Sequence, residues 1–247
     1  MQFGKPISSF YGMRDILVRN WVYIQAARRL IYWVAERKDR GVPSPLESSL
    51  GKLITSEIAE DVAKDSIQLF GGYGYMKEYS VERFYRDVKL GTIGGGTSEI
   101  QRSIISSLYS GKEKFQKEFS KLEKESSLTD KIQNVLFDII ISMDAEPNRK
   151  KLQSVEFAFA DVLSIFVILS LSEIDLHKST EYYSLDEKLM DRKLLSYYLV
   201  GKYLMSFTRL SNYVPSELTR LWEHYSQLGN SIEETVQTRF QSLQELL

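Results

Sequence analysis

Apolar residues recur along most of the chain at the three- and four-residue spacing of an α-helix. They form one stripe over residues 13–40 and a second over residues 46–70, and neither segment alternates as a strand does. The first stripe comprises Met13, Ile16, Leu17, Ile24, Leu30, Ile31 and Val34, and the second comprises Ile54, Ile58, Val62 and Leu69. A glycine and two prolines within residues 41–45 separate the two predicted helices.

Helical spacing returns near residue 98 and continues to the end of the chain. Thr97 or Ser98 is a good N-cap for a helix over residues 100–110. A polar, lysine-rich stretch over residues 111–130 then marks a boundary, which divides the chain into residues 1–112 and residues 113–247. In the second part, helices are predicted over residues 131–143, 148–171, 185–210, 216–228 and 231–247. We therefore expect an all-α fold with two helical bundles.

The segment between residues 71 and 96 differs from the rest because it holds seven of the fourteen glycines. We expect tight turns there, including a charged turn over residues 82–87. Glu82, Arg83, Arg86 and Asp87 are interpreted as a structural ion-pair network rather than as catalytic groups. Tyr73, Tyr75, Phe84 and Tyr85 are expected to serve packing rather than to form a stacking platform for a ligand.

Composition and charge exclude several classes of function. The 247 residues include 32 basic and 33 acidic ones, so the net charge is −1 and no global attraction to nucleic acid or to an anionic membrane is expected. The most apolar run, residues 162–171, is too short for a membrane span and favours a core helix over a membrane-docking helix. Because cysteine is absent and only His177 and His224 are present, thiolate zinc sites and histidine-based metal sites or triads are disfavoured.

The first residues lack the charged and apolar regions of a signal peptide. We therefore expect a cytoplasmic location, or the mitochondrial matrix if a presequence is missing.

Four short motifs carry a resemblance to a known family. They are Phe3-Gly4-Lys5-Pro6-Ile7, Gln68-Leu69-Phe70-Gly71-Gly72-Tyr73-Gly74-Tyr75, Glu82-Arg83-Phe84-Tyr85-Arg86-Asp87 and Gly96-Thr97-Ser98-Glu99-Ile100-Gln101-Arg102. In order, spacing and identity, residues 1–112 resemble the C-terminal helical domain of the acyl-CoA dehydrogenases. The resemblance implies an up-and-down helical bundle. By its position, the second bundle is similar to the helical extension of very-long-chain members, although no motif matches there.

The resemblance implies an FAD enzyme that introduces a double bond between Cα and Cβ of an acyl-CoA thioester and passes electrons to an electron-transfer flavoprotein. The flavin supplies the redox chemistry, and the protein positions and polarises the reactants. The implied FAD contacts are Gln68, Leu69, Phe70, Gly71 and Gly72, toward the adenine half of a flavin held by a neighbouring subunit, and Thr97, Ser98 and Glu99. Gly96 is the implied substrate contact.

The structural alternative for residues 68–72 is a helix C-cap followed by a turn, and for residues 97–99 it is a capped helix start. Both alternatives are compatible with cofactor contact.

Three departures from the family pattern bear on activity. Many members place the catalytic glutamate directly before the Gly-Thr pair, where this chain has Gly95, which cannot accept a proton. A flavin-contacting arginine would precede Met1, and a glutamine of the first helix is replaced by Tyr11. The family's N-terminal helical and middle β domains have no counterpart in these residues, so the chain alone is expected to be inactive.

Two hypotheses of different classes follow. In the first, the chain is the C-terminal part or subunit of an acyl-CoA dehydrogenase. It contributes flavin contacts and oligomer surface, and its partners are acyl-CoA, an electron-transfer flavoprotein, and either its own copies in a dimer or tetramer or an N-terminal dehydrogenase subunit. In the second, it is a non-catalytic helical interaction or oligomerisation module that kept the fold and lost the chemistry.

Overall fold

A computed structural model describes residues 1–108, residues 149–173 and the single positions Leu136, Ile140, Tyr198 and Lys202. Within this part of the chain, regular structure is helical, and the sole β feature is an isolated bridge between Gln2 and Lys5. The all-α prediction is confirmed. The predicted helices that begin at residues 185, 216 and 231 lie outside the described residues, apart from two positions of the first.

Two long antiparallel helices form the frame of the fold. Helix α1 spans Tyr11–Asp39, after a short 3-10 helix at Ile7–Ser9, and α2 spans Pro45–Phe70. Proline at the first position of α2 suits a helix start, because its missing N–H has no intrahelical acceptor there. Ion pairs join the two helices near both ends, from Arg37 to Glu47 at 2.9 Å and from Arg19 to Asp65 at 2.7 Å.

Two shorter helices pack on α2. After a 3-10 turn at Gly71–Tyr75, helix α3 spans Val81–Ile93, and after a glycine loop α4 spans Ser98–Leu108. The predicted charged turn over residues 82–87 is therefore wrong, because these residues form the first two turns of α3. Its (i, i+4) ion pairs suit a helix: Arg86 binds Glu82 at 2.9 Å, and Arg83 lies 3.9 Å from Asp87.

Helix α5 spans Arg149–Glu173 and packs against α1 and α4. Its buried side chains join those of α1, α2 and α4 in one continuous hydrophobic core, which includes Phe159 and Phe166. The interpretation of this segment as a core helix matches its position. The domain boundary near residue 113 stays a prediction.

The inward face of α1 differs from the predicted stripe. Leu30 is buried as expected, but Ile24 and Ile31 are exposed, the latter by 49%. Val18, Val22, Ala26 and similar small residues are buried in their place, because α2 and α5 both pack closely on this side of α1. Among the described residues, no helix is long and apolar enough to cross a membrane.

Candidate functional site

The two runs of predicted FAD contacts lie at opposite ends of α3. Residues 68–72 precede its N-terminus, and residues 97–99 follow its C-terminus. A helix of 13 residues is about 20 Å long at 1.5 Å per residue. The fold therefore does not bring the two runs together into one pocket of a single chain.

The first run forms the end of α2 and the turn that follows. Gly71 has a φ of 59° and donates a backbone hydrogen bond to Gln68, which ends the helix. Gln68, Phe70, Gly71 and Gly72 are exposed, and Leu69 is partly buried. Gly74 lies beneath this turn, where a Cβ atom would come within 2.6 Å of a carbonyl oxygen of α2. The C-cap interpretation holds, and the turn presents its backbone at the surface.

The loop over residues 94–96 is held by two side chains. Gly95 and Gly96 have φ angles of 67° and 92°, which favour glycine. Lys52 donates a hydrogen bond to the carbonyl oxygen of Gly96 at 2.6 Å, and Gln101 donates one to that of Gly95 at 3.0 Å. The loop is thus fixed to α2 and α4, and its exposed Gly95 offers no group that takes up a proton.

The second run forms the N-terminus of α4. The backbone N–H of Ile100 donates to Thr97 Oγ1 at 3.4 Å, so Thr97 is the predicted N-cap. Hydrogen bonds from its own backbone N–H and from the Thr97 hydroxyl hold the pKa of the Glu99 carboxyl below its usual value. Ser98 is only 6% exposed, and its hydroxyl has no hydrogen-bond partner among the described residues.

A polar cavity of about 440 Å³ opens at this helix start. It is lined by Glu57, Glu60, Asp61, Lys89, Thr92, Ile93, Thr97, Ser98, Glu99, Arg102 and Lys202. The lining therefore includes four carboxylates, of Glu57, Glu60, Asp61 and Glu99, and three cationic side chains, of Lys89, Arg102 and Lys202. No cluster of acidic and histidine side chains suited to a metal ion occurs in the described part of the chain.

Ion pairs organise the walls of the cavity. Lys89 binds both carboxylate oxygens of Glu60 at 3.0 Å, and Lys202 pairs with Asp61. These pairs attach α3 and the C-terminal half of the chain to the same side of α2.

Arg102 joins three helices behind the cavity. Its guanidinium binds Glu57 of α2 and Asp161 of α5, each at 2.7 Å, and all three side chains are largely buried. Burial alone would lower the pKa of Arg102, but the charges of the two carboxylates and the hydrogen bonds to them outweigh this effect and raise it. The guanidinium therefore stays charged and holds α4 in place.

The fold and these motifs agree with a comparison against known families. Residues 1–108 match the family model described as "Acyl-CoA dehydrogenase, C-terminal domain". Residues 1–108 are thus similar to the C-terminal domain of the acyl-CoA dehydrogenases. We refer to them below as the dehydrogenase domain.

Curated relatives agree over the same part of the chain. An acyl-CoA dehydrogenase of Bacillus subtilis is 44% identical over 106 residues, which are 43% of this chain and 28% of that protein. A short-chain specific acyl-CoA dehydrogenase of Clostridium acetobutylicum is 42% identical over 105 residues, again 28% of its length. The chain thus spans less than a third of these relatives.

One solved structure resembles nearly the whole chain. It is an acyl-CoA dehydrogenase complexed with FAD from Bacillus anthracis, with a TM-score of 0.69 and 18% identity over 98% of this chain and 50% of that one. At this identity the likeness concerns the fold alone. It extends beyond the dehydrogenase domain into the C-terminal half.

Several aromatic side chains of the dehydrogenase domain are exposed. Tyr73, Phe84 and Tyr85 are at least a third exposed, and Tyr75 is 89% exposed. The 3-10 turn and the outer side of α3 are left uncovered by the other described elements, and the expectation that these rings serve packing rather than ligand stacking stays a prediction. Tyr73 does contact a neighbouring ring, with its centroid 5.5 Å from that of Tyr79.

Sequence reasoning missed most of the cavity walls. The carboxylates of α2 recur at helical spacing, as they usually do on the solvent-exposed face of a helix. Their pattern therefore does not distinguish a ligand site from an ordinary surface. Lys202 is 141 residues from Asp61, so no local pattern could have paired them.

Proposed function

We propose that this chain contributes part of an FAD site to an acyl-CoA dehydrogenase assembly. The observation that carries the proposal is the cavity at the start of α4, where the buried Ser98 hydroxyl has no partner within the described residues. A buried hydroxyl without a hydrogen bond is unfavourable, so its position in a polar cavity favours a ligand that supplies the missing bond.

The residues of the cavity fit the polar part of a dinucleotide. The Ser98 hydroxyl can donate a hydrogen bond, and the surrounding carboxylates can accept hydrogen bonds. Because carboxylates outnumber cations, the cavity suits a hydroxyl-bearing portion of FAD better than a bare pyrophosphate. When bound, the flavin accepts a hydride, and the residues named here bind and orient it.

Residues 68–72 support a site shared between two copies of the chain. The turn precedes α3 and the start of α4 follows it, so the length of α3, about 20 Å, separates the two runs. The exposed backbone of the turn at Gly71 and Gly72 would contact the FAD of a neighbouring copy rather than the same one. We therefore infer a homodimer or homotetramer, or an equivalent assembly with a separate dehydrogenase subunit.

We expect the catalytic base to come from outside residues 1–108. By the resemblance, Gly95 stands where many acyl-CoA dehydrogenases carry the base, and glycine offers no carboxylate. Gly96, the proposed acyl-CoA contact, is fixed by Lys52. We expect no turnover of acyl-CoA by this chain alone, and electron transfer to a flavoprotein only in the complete assembly.

A non-catalytic interaction module is the second candidate. It is favoured by an apolar groove of about 410 Å³ between α1, α2 and α3, with the exposed Ile31 and Phe84 at its walls. Such a surface suits a protein partner and requires no cofactor.

Titration of the purified full chain with FAD separates the two candidates. Bound FAD is followed by quenching of flavin fluorescence, and native mass spectrometry gives the number of chains and of flavins per assembly. The proposal predicts saturable binding, with one FAD per chain in a dimer or larger assembly. The absence of FAD binding at saturating concentration, with the chain folded and oligomeric, would favour the interaction module.

A further inference from the structure

We propose that Lys52 is a positioning residue of the FAD cavity and acts through the glycine loop over residues 94–96. The inference rests on the proposed function and deepens it, because it names a residue outside the cavity lining that sets the affinity for the cofactor. Lys52 belongs to α2 and is not among the residues that line the cavity. Its effect on a ligand therefore passes through the loop that it holds.

The glycine loop joins two walls of the cavity. Thr92 and Ile93, at the end of α3, line the cavity, and so do Thr97, Ser98 and Glu99, at the start of α4. Three glycines connect these two sets of lining residues. The position of the start of α4 relative to the end of α3 thus depends on the conformation of the loop.

Packing alone does not fix that conformation. Gly95 and Gly96 have φ angles of 67° and 92°, and glycine adopts positive and negative φ about equally readily. Its chain neighbours aside, no atom of the described residues lies within 4 Å of the place that a Cβ atom of Gly95 would take. The loop therefore needs polar contacts to keep one conformation.

Lys52 and Gln101 supply those contacts. Lys52 donates a hydrogen bond to the carbonyl oxygen of Gly96 at 2.6 Å, and Gln101 donates one to that of Gly95 at 3.0 Å. The bond from Lys52 is the stronger of the two, because its donor is charged. Lys52 is half-buried and makes no ion pair within the described part of the chain, so its replacement removes this hydrogen bond without separating two charges.

The packing of α3 on α2 brings the loop to Lys52. A Cβ atom at Gly91 of α3 would come within 3.3 Å of the Cβ atom of Ser56 on α2, so the two helices approach closely there. Ser56 follows Lys52 by one helical turn, and Gly91 precedes the loop by three residues. The contact between Lys52 and the loop is thus a consequence of how the two helices pack.

Loss of this contact has a specific kinetic signature. Without the bond from Lys52 the loop takes up further conformations, and only a fraction of the molecules keeps the cavity that binds FAD. The apparent affinity then falls in proportion to that fraction, and the association rate falls with it. A residue that contacts the bound cofactor would instead act mainly on the dissociation rate.

The test compares FAD binding by the full chain and by four variants, with flavin fluorescence at equilibrium and in stopped flow. Lys52→Met removes the ammonium, and Lys52→Arg keeps a charged donor. Lys64→Met is the matched control, because Lys64 lies on the same helix but is 63% exposed and contacts Asp61, at 3.8 Å, rather than the loop. Arg37→Met is the stability control, because it removes an ion pair between α1 and α2 and changes neither the loop nor the cavity lining.

We expect Lys52→Met to weaken FAD binding about tenfold, the lower end of the effect of losing a hydrogen bond to a charged group, with the loss in the association rate. Lys52→Arg should recover most of the affinity, and the two controls should stay within about twofold of wild type. Unchanged affinity in Lys52→Met, no recovery in Lys52→Arg, or an equal loss in either control would overturn the inference and leave the proposed function standing. A loss confined to the dissociation rate would also overturn it, since Lys52 would then contact the cofactor itself.

Failure of the wild-type chain to bind FAD would instead overturn the proposed function, and this inference with it. Thermal unfolding of each protein without FAD is measured in parallel, and binding is compared at a temperature where all of them are folded. If Lys52→Met does not fold, Lys52→Gln, which also removes the charge but keeps a polar side chain, takes its place with the same expected loss. Wild-type association and affinity in Lys52→Gln would then contradict the inference.

Discussion

Replacing Ser98 with alanine should stabilise the chain and weaken FAD binding at the same time. The hydroxyl is buried and lacks a hydrogen-bond partner within the described part of the protein. An unsatisfied buried polar group costs about 1–3 kcal/mol. Alanine also has the higher helix propensity. The substitution should therefore raise the free energy of unfolding by about 1 kcal/mol.

The same substitution removes a donor that the proposed cofactor would use. A typical hydrogen bond contributes about 0.5–1.5 kcal/mol, which corresponds to about a twofold to tenfold loss of affinity. Denaturant unfolding without FAD and a fluorescence titration with FAD measure the two effects separately. Opposite signs in the two assays are characteristic of a polar group retained for a ligand rather than for the fold.

Ser106→Ala is the matched control on the same helix. Ser106 is 2% exposed, and its hydroxyl donates to the carbonyl oxygen of Ser103 at 3.3 Å. Its replacement should lower stability slightly and leave FAD affinity unchanged. The reasoning is refuted if Ser98→Ala lowers stability and leaves FAD affinity at the wild-type value, because the hydroxyl would then serve the fold.

Three further predictions concern the turn, the buried arginine and the helix start. Gly74→Ala should lower the unfolding free energy by about 1–3 kcal/mol, because its Cβ would overlap a carbonyl oxygen, whereas Gly72→Ala, with open space, should have a much smaller effect in the same denaturant assay. Arg102→Met should lower the unfolding free energy by about 3–5 kcal/mol, because Glu57 and Asp161 lose the guanidinium that they share. Arg102→Lys, which keeps the positive charge, should lower it less. Equal losses of unfolding free energy in the two variants would contradict this account. The lowered pKa of Glu99 adds stability that is present above the unfolded value of about 4.3 and is lost as pH falls through the folded value. As pH is lowered through that range, the melting temperature of Glu99→Gln should fall less steeply than that of the wild type. The same pH dependence in both proteins would refute the stabilising role of the Glu99 carboxylate.

The long helices could be predicted because their apolar spacing and their terminal glycine or proline residues are local signals. Helix α2 was expected at residues 46–70 and is found at Pro45–Phe70. Helix α3 is not predicted from the sequence, because glycine-rich segments on both sides of it and its closely spaced charged residues are typical of a turn. The helix forms because its (i, i+4) charge pairs and its contact with α2 outweigh those signals.

The start of the site could also be predicted, but its walls could not. Thr97 is recognisable as an N-cap from the residue type and position. The burial of Ser98 depends on how α4 packs against α2, and the approach of Lys202 depends on contacts over 141 residues. Such long-range pairings leave no pattern in a short window of sequence.

Hydrogen exchange of the full chain, with and without FAD, tests the central claim most directly. The first-turn N–H groups of α4 have no carbonyl partner within their own helix, so contact with a ligand should slow their exchange. The account predicts FAD-dependent protection in peptides that cover residues 97–101 and residues 68–74, with little change near the C-terminus of α1. Bound FAD without protection at the start of α4 would contradict it.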